Sequence, residues 1–251
     1  MTTERGEREA YILDLLAKDG SLSVAALSKD LGVSEVTIRS SLKSMEERGL
    51  LARTWGGAKA NTLTNVLERV RVHDDEKERI AAAAAALVRD GDRIMIEAGT
   101  TTAMIVRHLN GRTGVQIVTN STLVFTYARL NPALEVILAG GQFHRESESL
   151  VGPVALASIR RFNARIAFVG TDGFTSDRGL TTQFAEGAEV ISAMNERAEE
   201  TWLVADSSKY GRAGFVSVLD LTELNGIITD SGIGAGSVDV LKQTAPTVQV
   251  V

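Results

Sequence analysis

Seven short β-branched runs fill the last two-thirds of this chain and constrain its fold more than any other feature: Arg93–Glu97, Val115–Thr119, Glu135–Ala139, Arg165–Val169, Thr201–Ala205, Asn225–Thr229 and Thr247–Val251. Helical patterns stand between them at Thr101–Leu109, Leu123–Leu130, Val154–Phe162 and Glu186–Arg197. Such alternation predicts an open, mostly parallel α/β sheet with helices on both faces. Sheets of that kind take ligands in the crevice beyond the carboxyl ends of their strands.

The residues just beyond each strand are therefore informative. The first run leads into Ala98-Gly99-Thr100-Thr101-Thr102 and the second into Asn120-Ser121-Thr122. Gly140-Gly141 and then Arg145 come after the third, Gly170-Thr171-Asp172-Gly173 after the fourth, and Asp206-Ser207-Ser208-Lys209 after the fifth. In a parallel sheet all five loops share one rim, and their small, hydroxylated and charged residues suit a polar ligand. Gly99 with Thr100, Thr101 and Thr102 at a helix start offers backbone N–H groups and hydroxyls to an anion. Lys209 brings a mobile positive charge to a phosphate. Asp172 and Glu186 are acceptors for sugar hydroxyls, and Asn120, Arg145 and Gly173 complete the candidate ligand-binding set.

Residues 21–58 read differently. Ser23 caps a short helical pattern that stops at Gly32, and Ser34 caps a second running towards Arg48 with Ile38, Leu42 and Met45 on one stripe. Two short capped helices across a tight turn are a helix-turn-helix. The alternating stretch from Gly49 to Ala58, broken at Gly56-Gly57, supplies a β-wing. Residues near the start of the second helix reach base edges, which singles out Glu35, Val36, Thr37, Arg39 and Ser40, whereas Lys43, Arg48 and Arg53 suit phosphates. The expected organisation is thus a winged helix-turn-helix over 1–60, a linker over 61–75 and a sensor and oligomerisation domain over 76–251. The six alanines Ala81–Ala86 open that domain as a close-packing helix.

Bulk properties exclude several classes. The chain of 251 residues has no cysteine, so disulfides, thiolate chemistry and cysteine-ligated metals are out. His73, His108 and His144 are far apart, and no metal or cofactor is expected. No apolar run approaches the ~20 residues of a membrane span, and no signal peptide is evident, which predicts a cytoplasmic protein. Residues 1–60 carry nine Lys/Arg against nine Asp/Glu, so the net charge of −5 belongs to the remainder. A neutral reading module gains specificity by repetition, so a homo-oligomer, dimer or tetramer, is expected.

The run Val33-Ser34-Glu35-Val36-Thr37-Ile38-Arg39, with Leu42, Glu47-Arg48-Gly49-Leu50-Leu51 and Gly56-Gly57-Ala58, resembles the DeoR family of bacterial transcriptional regulators. Ser40 and Ser41 stand where that family usually has a basic residue and an aspartate. Gly99–Thr102, Thr119-Asn120, Gly140-Gly141 with Arg145 and Ser149, Gly170–Gly173, Gly179–Thr182 and Asp206–Lys209 resemble its sensor motifs. The resemblance implies a sensor similar in fold to ribose-5-phosphate isomerase. It also implies a repressor of a carbohydrate operon that binds operator double-stranded DNA and answers to a phosphorylated sugar. The alternative is an isomerase-like enzyme with a DNA-binding module, in which Asp172, Glu186 and Lys209 serve as acid, base and electrostatic groups.

Overall fold

The structure, a computed structural model, describes residues 2–19, 21–47, 50–59, 69 and 72–251. The chain divides into two compact units, Met1–Glu68 and Arg69–Val251.

In the first unit α1 (Thr2–Asp19) precedes β1 (Ser21–Ser23), α2 (Val24–Leu31), α3 (Glu35–Glu47), β2 (Ala52–Thr54) and β3 (Gly57–Lys59). The capping residues act as their positions in the sequence predict. Ser23 accepts the Ala26 N–H at 3.0 Å, Gly32 takes the left-handed conformation that ends α2, and Ser34 accepts the Thr37 N–H at 3.2 Å. Ile38, Leu42 and Met45 are buried with Val24, Leu27 and Leu51, and α1 adds Ile12 and Leu16 to the same core. That first helix was not among the expected elements, although its apolar residues carry helical spacing. β2 and β3 form the wing, joined by the two-residue turn Trp55-Gly56, and β1 pairs along the far side of β3. Gly57 is required there, since a Cβ atom would lie 2.0 Å from the Leu22 carbonyl oxygen.

The second unit begins with α4 (Asp74–Ala86), so Asp74 and Asp75 form the first turn of a helix rather than the end of a linker. Positions 61–68, 70 and 71 of that expected linker lie outside the described residues. Ile80, Ala81, Ala84 and Ala85 are buried, and the small alanine face lets α4 pack on the sheet.

The sheet has seven strands: β4 (Arg93–Ile96), β5 (Val115–Thr119), β6 (Leu134–Leu138), β9 (Ala164–Val169), β12 (Ala198–Val204), β14 (Gly226–Thr229) and β15 (Val248–Val250). Their order is β15-β14-β12-β9-β4-β5-β6 and every pairing is parallel. The helices between strands are α5 (Thr100–Met104), α6 (Thr122–Ala128), α7 (Pro153–Ile159), α8 (Ala185–Arg197) and α9 (Ala235–Thr244). All seven expected strands are present within three residues of their predicted bounds, and β5 matches them at both ends. The helix expected over Thr101–Leu109 is shorter, since α5 tightens into a 3₁₀ turn at Ile105–His108.

Two small antiparallel pieces were not foreseen. One is the hairpin β7 (Gln142–His144) and β8 (Ser149–Val151); the other joins β10 (Gly173–Thr175), β11 (Gly179–Thr182) and β13 (Val216–Leu219). Their strands of three or four residues are too short to show alternation in sequence.

Chain direction across the sheet marks where a crevice is expected. From β4 the strands advance through β5 to β6, then return to β9 on the other side of β4 and advance outward again. The junction of β4 and β9 is thus the point where strand order reverses, and the usual place for a ligand crevice is beyond the carboxyl ends of two such strands. At the opposite end of the same two strands, Arg165 grips Asp92 through two hydrogen bonds of 2.9 and 2.6 Å and also reaches the Leu87 carbonyl at 2.7 Å.

Candidate functional site

The outer face of α3 carries the side chains expected to meet DNA. Val36 is 76% exposed, and Glu35, Arg39, Ser40 and Lys43 are exposed beside it. Thr37 is half-buried, with its hydroxyl 2.8 Å from that of Ser34. Two of the arginines are held by carboxylates of the same unit: Arg39 pairs with Glu35 at 3.2 Å and Arg53 with Glu46 at 2.8 Å. The Arg53 backbone N–H also donates to Glu46, and these hydrogen bonds hold the Glu46 carboxyl below its usual range. Arg39, Glu46, Arg53, Thr54, Trp55 and Gly56 line a cleft between α3 and the wing. Arg48 lies outside the described residues.

In the second unit the strand ends meet at the β4/β9 reversal. Gly99 stands in extended backbone before α5, and Thr102, wholly buried, donates its hydroxyl to the Gly99 carbonyl at 3.1 Å. Thr100 and Thr101 are buried next to it. Asn120 is spent on architecture: its Oδ1 accepts the Ala98 N–H at 3.1 Å and its Nδ2 donates to the Leu150 carbonyl at 3.3 Å. Asp172 accepts the Gln183 N–H at 2.9 Å through one oxygen and turns the other towards Arg69, 3.7 Å away. Gly173 is a glycine because a Cβ there would lie 2.5 Å from the Arg212 carbonyl oxygen. Lys209 is half-buried on the 3₁₀ turn Ser207–Lys209. Arg145 is exposed in the turn of the β7/β8 hairpin, and Glu186 is exposed in the first turn of α8. The two elements touch where His144 stacks on Phe184, their ring centres 4.3 Å apart. Among the described residues no cluster of three or more His, Asp or Glu is placed to hold a metal ion.

The two units match two family models. Residues 8–64 match the DeoR-like helix-turn-helix domain and residues 72–231 the DeoR C terminal sensor domain. The chain belongs to the DeoR family. The HTH-type transcriptional regulator GlpR of Haloferax volcanii is 35% identical, with 96% of each chain covered. The lactose phosphotransferase system repressor of Lactococcus lactis subsp. lactis is 32% identical over 92% of this chain and 93% of that one. The HTH-type transcriptional repressor GlcR of Bacillus subtilis is 30% identical over 89% and 88%. Among solved structures, ribose 5-phosphate isomerase A from Methanocaldococcus jannaschii is similar at 20% identity and a TM-score of 0.42, covering 55% of each chain. A likeness of that size carries no argument about chemistry.

Three residues of this DeoR-family sensor were absent from the expected set. Glu97 directly follows β4 and is buried, its Oε2 accepting the Gly170 N–H at 3.1 Å across the strand reversal. Burial pushes its carboxyl up to about 8; the Gly170 hydrogen bond opposes the rise and nearby Asp172 adds to it. Lys77, also buried, donates to the carbonyls of Arg69 and Val72. Burial lowers its ammonium, and the charge of nearby Asp206 works the other way. Arg69 reaches from the start of the unit to Asp172 and to the Glu146 carbonyl. One of the three was detectable: Lys77 shares helical spacing with Ile80, Ala81 and Ala84, which places it on the buried stripe of α4.

Proposed function

We propose that this chain is a transcriptional repressor of a carbohydrate-utilisation operon, displaced from operator DNA by a phosphorylated sugar or related metabolite. One observation carries the reading. At the reversal of strand order, a Gly-Thr loop, Asp172 and Arg69 gather on the rim of a domain that shares its chain with a winged helix-turn-helix. A rim with carboxylate acceptors for hydroxyls and cations for a phosphate fits a sugar ester better than either part alone. The names of the relatives, among them a repressor of a lactose phosphotransferase system, support the same direction. The ligand set Gly99, Thr100, Thr101, Thr102, Arg145, Asp172, Gly173, Glu186 and Lys209 and the DNA set on α3 and the wing belong to this proposal. We assign Asn120 to holding the loops in place.

The protein works in the cytoplasm as a homo-oligomer that presents one module to each operator half-site. No described helix is long and apolar enough to cross a membrane. Binding without turnover is the reading for the sensor, supported by relatives named as transcriptional regulators and repressors.

A thermal-shift screen of phosphorylated sugars and polyols beside their unphosphorylated parents tests this. Ligand bound to the native state raises the melting temperature once its concentration passes Kd. One ester should raise it, its parent should not, and Lys209→Ala should reduce the rise. If no ester does so, the effector is of another class; turnover of ribose 5-phosphate by the purified protein would make it an enzyme.

A further inference from the structure

Resting on the effector reading above, we propose that Arg69 contacts the anionic group of the effector and passes occupancy of the rim to the DNA module. The guanidinium has unspent capacity. Its Nη1 stands 3.7 Å from Asp172, beyond hydrogen-bond range, and its Nη2 donates to the Glu146 carbonyl at a long 3.5 Å. Its Nε is buried and has no hydrogen-bond partner among the described residues. An Nε–H and a neighbouring Nη–H point the same way and take two oxygens of a phosphate at once. A buried donor without an acceptor costs stability, so an anion arriving there gains an interaction that the empty rim lacks. The same event releases Asp172 Oδ1 to a sugar hydroxyl while the Gln183 N–H keeps the other oxygen in place.

Position in the chain makes this contact more than an affinity determinant. Arg69 is the first residue of the sensor unit, directly after the segment that leads from the wing. Its carbonyl and that of Val72 are both held by the buried Lys77 ammonium. The carbonyl of His73, whose backbone is left-handed (φ 56°), accepts the Lys77 N–H at 3.0 Å. Lys77 thus fastens the backbone at Arg69, Val72 and His73 to the start of α4. An anion held by Arg69 therefore acts on the residue at which the sensor unit begins. Coupling also requires that the effector distinguish two states of the protein. The exchange of Asp172 for phosphate as the partner of Arg69 supplies that distinction.

The test uses the full chain and a duplex selected by it from a random DNA library. Operator affinity is measured with and without saturating glycerol 3-phosphate, glucose 6-phosphate, fructose 1-phosphate or ribose 5-phosphate. Wild type should lose affinity by a factor in the ~5–150 range of ordinary allosteric coupling. Arg69→Gln should bind the same ester about tenfold more weakly by calorimetry, and its operator affinity is read with and without ester as for wild type. At saturation its ratio should fall towards one. Arg69→Lys keeps the charge without the two-pronged geometry, holds the reading if the glutamine variant does not fold, and should also lose most of the ratio. A wild-type ratio in either folded variant overturns the proposal. If no ester alters operator affinity in wild type, the effector reading itself fails, and that is visible before any variant is made.

Discussion

Just beyond β4 and β9 the buried carboxyl of Glu97 accepts the Gly170 N–H, and burial keeps its proton on to about pH 8. An ordinary glutamate loses that proton near 4.5. The folded chain therefore holds more protons than the unfolded chain between those values, and stability must fall as pH rises through that window and level off beyond it. Glu97→Gln keeps the shape and an acceptor for Gly170 but has nothing to titrate. Its melting temperature should vary less than that of wild type between pH 5 and pH 8, as read by calorimetry at fixed ionic strength. An equally steep loss in both proteins would place the proton elsewhere. Glu97 also marks where sequence reading ran out. Gly99–Thr102 and Gly170–Gly173 stand out because small residues after a strand have few other uses. Whether a strand-end carboxylate is solvated depends on Gly170, 73 positions away, and on Asp172, which no local pattern reveals.

At the scale of elements, the legible parts are those with a period. The seven strands of the main sheet and the two helices of the reading module announced themselves through β-branched runs, capping serines and buried stripes. The β7/β8 hairpin and the β10-β11-β13 sheet did not, because their pairing rests on close backbone approach. Gly173, Gly179 and Gly214 would each place a Cβ within 2.5 Å of a carbonyl oxygen on the neighbouring segment. Below the sheet, the Asp92–Arg165 pair ties the entry of β4 to that of β9, with side chains only 10% and 19% exposed. Burial raises the Asp92 carboxyl, but hydrogen bonds from Arg165 and the Arg89 N–H outweigh it and hold the group below its usual range. Removing one partner strands the other charge. Arg165→Met should cost about 3 kcal/mol in urea unfolding of the sensor unit, and the double variant with Asp92→Leu should recover part of it. A single variant within about 0.5 kcal/mol of wild type, a value typical of an inconsequential surface change, would show that water reaches the pair.

Over the whole molecule the governing quantity is how little positive charge the reading module has to spare, nine basic residues against nine acidic ones in 1–60. Two of its arginines are already paired with Glu35 and Glu46. In the proposed DNA set, a phosphate has to compete with those carboxylates for each arginine. Glu46→Gln should release Arg53, raise operator affinity severalfold at low salt, and steepen the dependence of log affinity on log salt by about one. An unchanged slope in a salt titration would mean that Arg53 does not reach a phosphate. The wing offers a way to watch these events. The chain has two tryptophans. Trp55 sits fully exposed at the tip of the wing, whereas Trp202 is buried in β12 with its indole N–H on Glu200 at 2.9 Å. Each unit thus carries its own fluorophore, one emitting from water and one from protein interior. Emission at the long-wavelength side will report any change around the wing tip, and emission at the short-wavelength side the integrity of the sheet, with no dye attached.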